Sequence, residues 1–176
     1  IEPAVKPASM MTKTGVVGIL ATTNTVASER FKTLVERFDP LAKVIAHPCP
    51  GLVELIEQSP MPENAIEALL KPVLAELTRK QADVIVLGCT HYPFVAHLIS
   101  KLAGPGVAVI ETGLPVAKQL KARLESENLL NMRQESIPAI ERVKFYTTGQ
   151  PDAFKKKLVN LLGSEWREAK VHQLLV

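Results

Sequence analysis

The chain predicts an α/β fold built on a parallel, helix-covered sheet, and two observations carry that reading. The run Val84-Ile85-Val86-Leu87 is continuously apolar rather than alternating, as a strand is when helices cover both of its faces. Strand-like and helix-like segments also alternate along the sequence, the pattern of β-α-β units whose crossovers lay helices on a parallel sheet.

Residues 16–20 read as the first strand, followed by a turn in which Thr22, Thr23 and Asn24 supply hydroxyl and amide groups. Ser28 is placed to cap a helix reaching Phe38, with Phe31, Leu34, Val35 and Phe38 at helical spacing. Asp39-Pro40 breaks it. Residues 44–46 form a short strand, Pro50 or Gly51 opens a helix through Glu57, and Pro60 and Pro62 mark a loop. A long helix spans 64–80, with Pro72 as a kink point. After the strand at 84–87 comes a helix over 92–102, a Gly104-Pro105-Gly106 turn, a strand at 107–110 and a helix at 114–124. Residues 128–138 are polar and weakly patterned, hence a loop; 143–146 is a strand, 152–162 a helix, and 171–175 a last strand.

Composition narrows the function. A chain of 176 residues, 47% hydrophobic and 22% charged, has the make-up of an ordinary globular protein able to bury a full core. A net charge of +3 with 5% aromatics offers neither the field nor the stacking platforms that nucleic acid needs. Lys155-Lys156-Lys157 is the one basic run, read as a solvated helix face. No basic-then-apolar leader and no apolar run of membrane-spanning length is seen, so no membrane is expected. Two cysteines far apart make no disulfide framework, which favours a reducing cytoplasm.

The residues with the most chemistry follow the apolar strand. Gly88 lets the chain turn, Cys89 and His91 follow, and Pro93 suits the first turn of a helix. A thiol there sits at the carboxyl end of a sheet strand, the ligand-binding edge of open α/β sheets. Backbone N–H groups at a helix start favour a thiolate or a bound carboxylate. The plain alternatives are a buried strand-end cysteine for Cys89, a simple cap for Thr90 and an exposed or structural histidine for His91, but the helix start, Gly88 and His91 together favour function at Cys89. Glu54 and Glu57 lie three apart on one helix face, where solvated carboxylates are common. Thr22, Thr23 and Thr25 either reach a ligand or stabilise their own turn.

The run Leu87-Gly88-Cys89-Thr90-His91-Tyr92-Pro93 resembles the second cysteine motif of the bacterial glutamate racemases. Ile1-Glu2-Pro3-Ala4-Val5-Lys6-Pro7-Ala8 is similar to the segment that opens that family's second domain, and Gly18-Ile19-Leu20-Ala21-Thr22-Thr23-Asn24-Thr25 to its first strand and threonine-rich turn. Cys49-Pro50-Gly51-Leu52-Val53-Glu54-Leu55-Ile56-Glu57 resembles its Cys-Pro helix, and Phe145-Tyr146-Thr147-Thr148-Gly149 its late strand. Glu111-Thr112-Gly113 departs from the more usual Asp-Ser-Gly. The family's Asp-Ser turn and first Cys-Asn-Thr motif, both upstream of the Ile-Glu-Pro-Ala segment, have no counterpart, and the chain starts at Ile1, so it reads as a fragment.

The resemblance implies two pseudo-symmetric flavodoxin-like domains, with residues 1–111 forming the second and 112–176 returning to complete the first. It implies cofactor-independent, metal-free interconversion of L- and D-glutamate by two thiols, supplying peptidoglycan synthesis. Removing a weakly acidic α-proton and returning one to the other face calls for two acid/base groups on opposite sides. Cys89 would be one, supported by His91 and Glu57, with Thr90 and His91 holding substrate. The other thiol would lie upstream of Ile1, which leaves Cys49 as a packing residue and this chain inactive alone. Glutamate, a docked N-terminal half and a homodimer are the implied partners. Aspartate or another amino acid is the alternative substrate. Rival readings are a zinc site from His47, Cys49, Cys89 and His91, and a non-catalytic ligand-binding domain.

Overall fold

A computed structural model describes residues 2–38, 42–131 and 139–174. The chain divides into two compact units, residues 1–56 with 62–130, and residues 57–61 with 131–176.

In the larger unit, α1 (Glu2–Met11) leads into β1 (Val16–Ala21), then α2 (Thr23–Ala27), α3 (Glu29–Phe38), β2 (Lys43–Pro48), α4 (Leu52–Ile56) and α5 (Glu63–Arg79). Next come β3 (Val84–Leu87), a 3-10 turn over Tyr92–Val95, α6 (Ala96–Ala103), β4 (Ala108–Glu111) and α7 (Gly113–Ser126). The four strands are parallel in the order β2-β1-β3-β4. All four residues of β3 are buried, as its unbroken apolar run requires.

Alternation along β1 sends its residues to two helical layers. Val17, Ile19 and Ala21 pack with Val84 and Val86 of β3 against Ala4, Val5 and Ala8 of α1 and Phe31, Leu34 and Phe38 of α3. On the other face Gly18 lies under Leu77 of α5 so closely that a β-carbon there would stand 3.0 Å from Leu77 Cδ1. A side chain at that position would require Leu77 to give by a few tenths of an ångström.

Helix α3 begins as its sequence requires: Ser28 Oγ accepts the Phe31 N–H at 3.3 Å. At the amino edge of the sheet, Asp83 just before β3 gathers the loop between α1 and β1. Its carboxylate accepts from the Thr12 hydroxyl, from Lys13 N–H at 2.7 Å, and from Thr14 N–H and Oγ1 at 3.2 and 2.9 Å.

Several elements differ from the sequence reading. Residues 2–11 are helical despite Pro7, because Ala4, Val5 and Ala8 bury against the sheet. The hydroxyl-rich stretch after β1 is the short helix α2 rather than a turn, capped by Thr22, whose Oγ1 accepts Thr25 N–H. The helix after Cys89 starts as a 3-10 turn and becomes α-helical only at Ala96. The break at Asp39-Pro40 and most of the 128–138 loop lie outside the described residues.

The smaller unit holds α8 (Ala139–Arg142), β5 (Phe145–Thr147), α9 (Pro151–Leu162), a 3-10 turn over Ser164–Trp166, and β6 (Val171–Gln173). Strands β5 and β6 pair in parallel. Phe145 meets Phe154 of α9 and the edge of Trp166, with ring centroids 6.2 and 5.3 Å apart. Helix α8 is absent from the sequence reading, being only four residues long with no apolar period to betray it. The lysine run lies on α9, where Lys157 pairs with Glu57.

Candidate active site

Strand order fixes where chemistry can gather. From β1 the chain steps to β2 on one side, then crosses to β3 on the other, so the connections diverge between β1 and β3. That divergence at the carboxyl edge is where open α/β sheets bind ligands. Register aligns Ala21 with Pro48, Leu20 with Leu87, and Leu87 with Glu111, so Thr22, Cys49, Cys89 and Thr112 all follow strand ends along this edge. Gly88 N–H donates to Leu20 O at 2.7 Å, the last bond tying β3 to β1, and Cys89 comes immediately after it.

Cys89 is a free, partly exposed thiol; Thr90 is exposed and His91 partly so. These three adjoin one another at the switch point. The turn beyond them uses its own donors: Tyr92 N–H bonds Cys89 O at 3.3 Å and Phe94 N–H bonds His91 O at 3.1 Å. A four-residue 3-10 turn therefore stands where a full helix start was expected, and two of its N–H groups are consumed within it.

Beneath the edge lies Tyr92, fully buried. Its hydroxyl donates to Ala21 O at 3.1 Å and approaches Cys49 O at 3.5 Å. Burial first, and the ionisable neighbours Cys49, Cys89 and Glu54 after it, push its ionisation well above the ordinary phenol range. Nothing in the sequence reading singled this residue out. The available signal was a phenol beside an apolar strand end, since a buried tyrosine hydroxyl needs a partner.

Cys49 is 3% exposed, with its Sγ donating to His47 O at 3.9 Å. Burial first, and the neighbouring Cys89 second, raise its thiol to about 11, although a hydrogen bond from Tyr92 acts in the opposite sense. Cys49 thus stays protonated at neutral pH.

The Thr22 and Thr25 hydroxyls lie 2.9 Å apart and serve the cap of α2, while Thr23 and Asn24 are exposed. Glu54 is exposed on α4; Glu57 follows that helix, belongs to the smaller unit, and its carboxylate pairs with the Lys157 ammonium. His47 Nδ1 lies 2.8 Å from Pro48 O and its Nε2 3.6 Å from Glu76. Among the described residues, no three His, Cys, Asp or Glu side chains converge as metal ligands.

Known proteins similar to this chain share one family. The chain is 46% identical to a glutamate racemase of Herpetosiphon aurantiacus over 89% of its length, and 43% identical to one of Pseudomonas aeruginosa over 93%. It spans about 60% of the length of each of these curated relatives. Among solved structures, a Bacillus anthracis glutamate racemase superposes with a TM-score of 0.82 at 26% identity, covering all of this chain and 62% of that one. A Francisella tularensis glutamate racemase solved with D-glutamate gives 0.73 at 25% identity, covering 98% of this chain and 62% of that one. The parallel α/β architecture is the one those structures share. The family model for Asp/Glu/hydantoin racemases matches residues 1–120, and the chain belongs to that family.

Proposed function

We propose that this chain is the larger part of a cofactor-independent glutamate racemase, and that Cys89 is one of its two proton-transferring thiols. The observation that carries the reading is Cys89 itself, a partly exposed thiol just past β3 at the point where the sheet's connections diverge. In one direction its thiolate takes the α-proton of the amino acid, leaving the electron pair delocalised into the substrate carboxylate. A thiol on the opposite face, from a segment carrying the family's first cysteine motif, gives a proton to the same carbon. Protons balance, and the two thiols exchange protonation states.

Thr90 and His91 follow Cys89 and serve to hold the substrate and assist its proton transfer. Residues 1–111 act as the second racemase domain and 112–176 as the segment completing the first. Without its other half the chain is inactive. The complete protein works in the cytoplasm as a homodimer and supplies D-glutamate for peptidoglycan. Circular dichroism of L-glutamate incubated with the complete protein tests the activity. The signal should decay to zero and not for L-aspartate; a stable glutamate signal beside a decaying aspartate one would reassign the substrate.

A further inference from the structure

We propose that Tyr92 is the positioning residue of Cys89, pinning three strand ends so that the thiol is held at one place on the edge. This rests on the reading that Cys89 moves the proton.

The sheet's own ladder stops short of the thiol. Gly88 N–H to Leu20 O, at 2.7 Å, is the last bond between β3 and β1, and Cys89 lies beyond it. Tyr92 supplies what the ladder does not. Through its backbone it closes the turn on Cys89 O at 3.3 Å. Its hydroxyl reaches back to Ala21 O at the end of β1, 3.1 Å away, and to Cys49 O just after β2, 3.5 Å away. Ala21 O also accepts Cys49 N–H at 3.0 Å, so the phenol joins an existing link between β1 and β2. One fully buried side chain thus connects the turn bearing Cys89 to both other strand ends.

The chemistry calls for tyrosine here. A phenylalanine would fill the same space but leave Ala21 O with one donor fewer in a site closed to water. Burial keeps the Tyr92 phenol and the Cys49 thiol neutral.

The test is Tyr92→Phe in the complete protein, with kcat and KM for each glutamate enantiomer, thermal melting, and the rate of Cys89 alkylation by iodoacetamide. Misplacing a reacting group by a fraction of an ångström to an ångström costs roughly tenfold to a hundredfold in rate. The expected result is kcat lower by about tenfold or more, KM within about twofold, and a changed alkylation rate at Cys89. A kcat per folded molecule within about twofold of wild type, with only the melting temperature lowered, would overturn the proposal. If the variant fails to fold, the wild-type hydroxyl proton decides. Tyr92 must exchange with solvent far more slowly than Tyr146, whose residue is 51% exposed, and equal rates refute the pin. Cys89→Ser separates this from the parent reading: an active Cys89→Ser protein removes both, whereas an inactive one beside an unimpaired Tyr92→Phe protein removes only the pin.

Discussion

Asp83→Ala should destabilise the larger unit by about 2 kcal/mol, through the loss of acceptors rather than of packing. The carboxylate takes four hydrogen bonds from Thr12, Lys13 and Thr14. The Thr12 and Thr14 hydroxyls in turn accept Val16 N–H, each at 3.2 Å, so the network fixes the start of β1 as well as of β3. Four bonds to a charged acceptor would total about 6 kcal/mol or more if all were closed to water. Three of the four are exposed, and water replaces them at little cost, which leaves about 2 kcal/mol. For a chain of this size that corresponds to roughly 4–8 °C in melting temperature.

The same group gives a pH signature. Partial burial acts to raise the Asp83 carboxyl, but the hydrogen bonds from Thr12, Lys13 and Thr14 outweigh it and hold the group below its ordinary value of 3.8. A carboxyl lowered in the folded state stabilises fully above its unfolded value and loses that contribution as pH falls through the folded one. Urea unfolding followed by far-ultraviolet circular dichroism, on wild type and Asp83→Ala, should show a constant gap at pH 6–8 that narrows below about pH 4. A gap below about 0.5 kcal/mol at neutral pH, or one unchanged into strong acid, would mean that the Asp83 carboxylate does not hold this loop.

Two further outcomes follow from the packing. Iodoacetamide at pH 8, with adducts located by mass spectrometry, should modify Cys89 well before Cys49, because the Cys49 thiol is buried and raised to about 11; equal labelling would contradict that environment. Gly18→Ala should cost about 1–3 kcal/mol in urea unfolding, since its new methyl meets two buried Leu77 carbons at 3.0 and 3.3 Å, and an unchanged midpoint would mean that α5 yields freely.

Much of the sheet was legible because parallel strands covered on both sides leave an unmistakable mark. Val84 to Leu87 could be little else, and Ser28 with Phe31, Leu34 and Phe38 announced α3. Short elements were less visible. The Thr23–Ala27 helix has poor intrinsic propensity and exists because Thr22 caps it against the sheet edge. Pro93 fitted a helix start equally well in 3-10 or α geometry, so the first turn after Cys89 could not be told apart. The place of Cys89 just past β3 was legible from the apolar run before it, whereas the contacts of Tyr92 were not, because its partners Ala21 O and Cys49 O stand 71 and 43 residues away. The grouping of Glu57 with α9 was hidden for the same reason, since its ion pair with Lys157 spans 100 residues.

The most direct trial of the account is deuterium uptake at the α-carbon of glutamate, catalysed in heavy water by the complete protein with Cys89 and with Cys89→Ser. The serine protein, folded and melting within a few degrees of wild type, should lose α-deuteration by about a hundredfold or more starting from at least one enantiomer. Undiminished exchange from both L- and D-glutamate would contradict it.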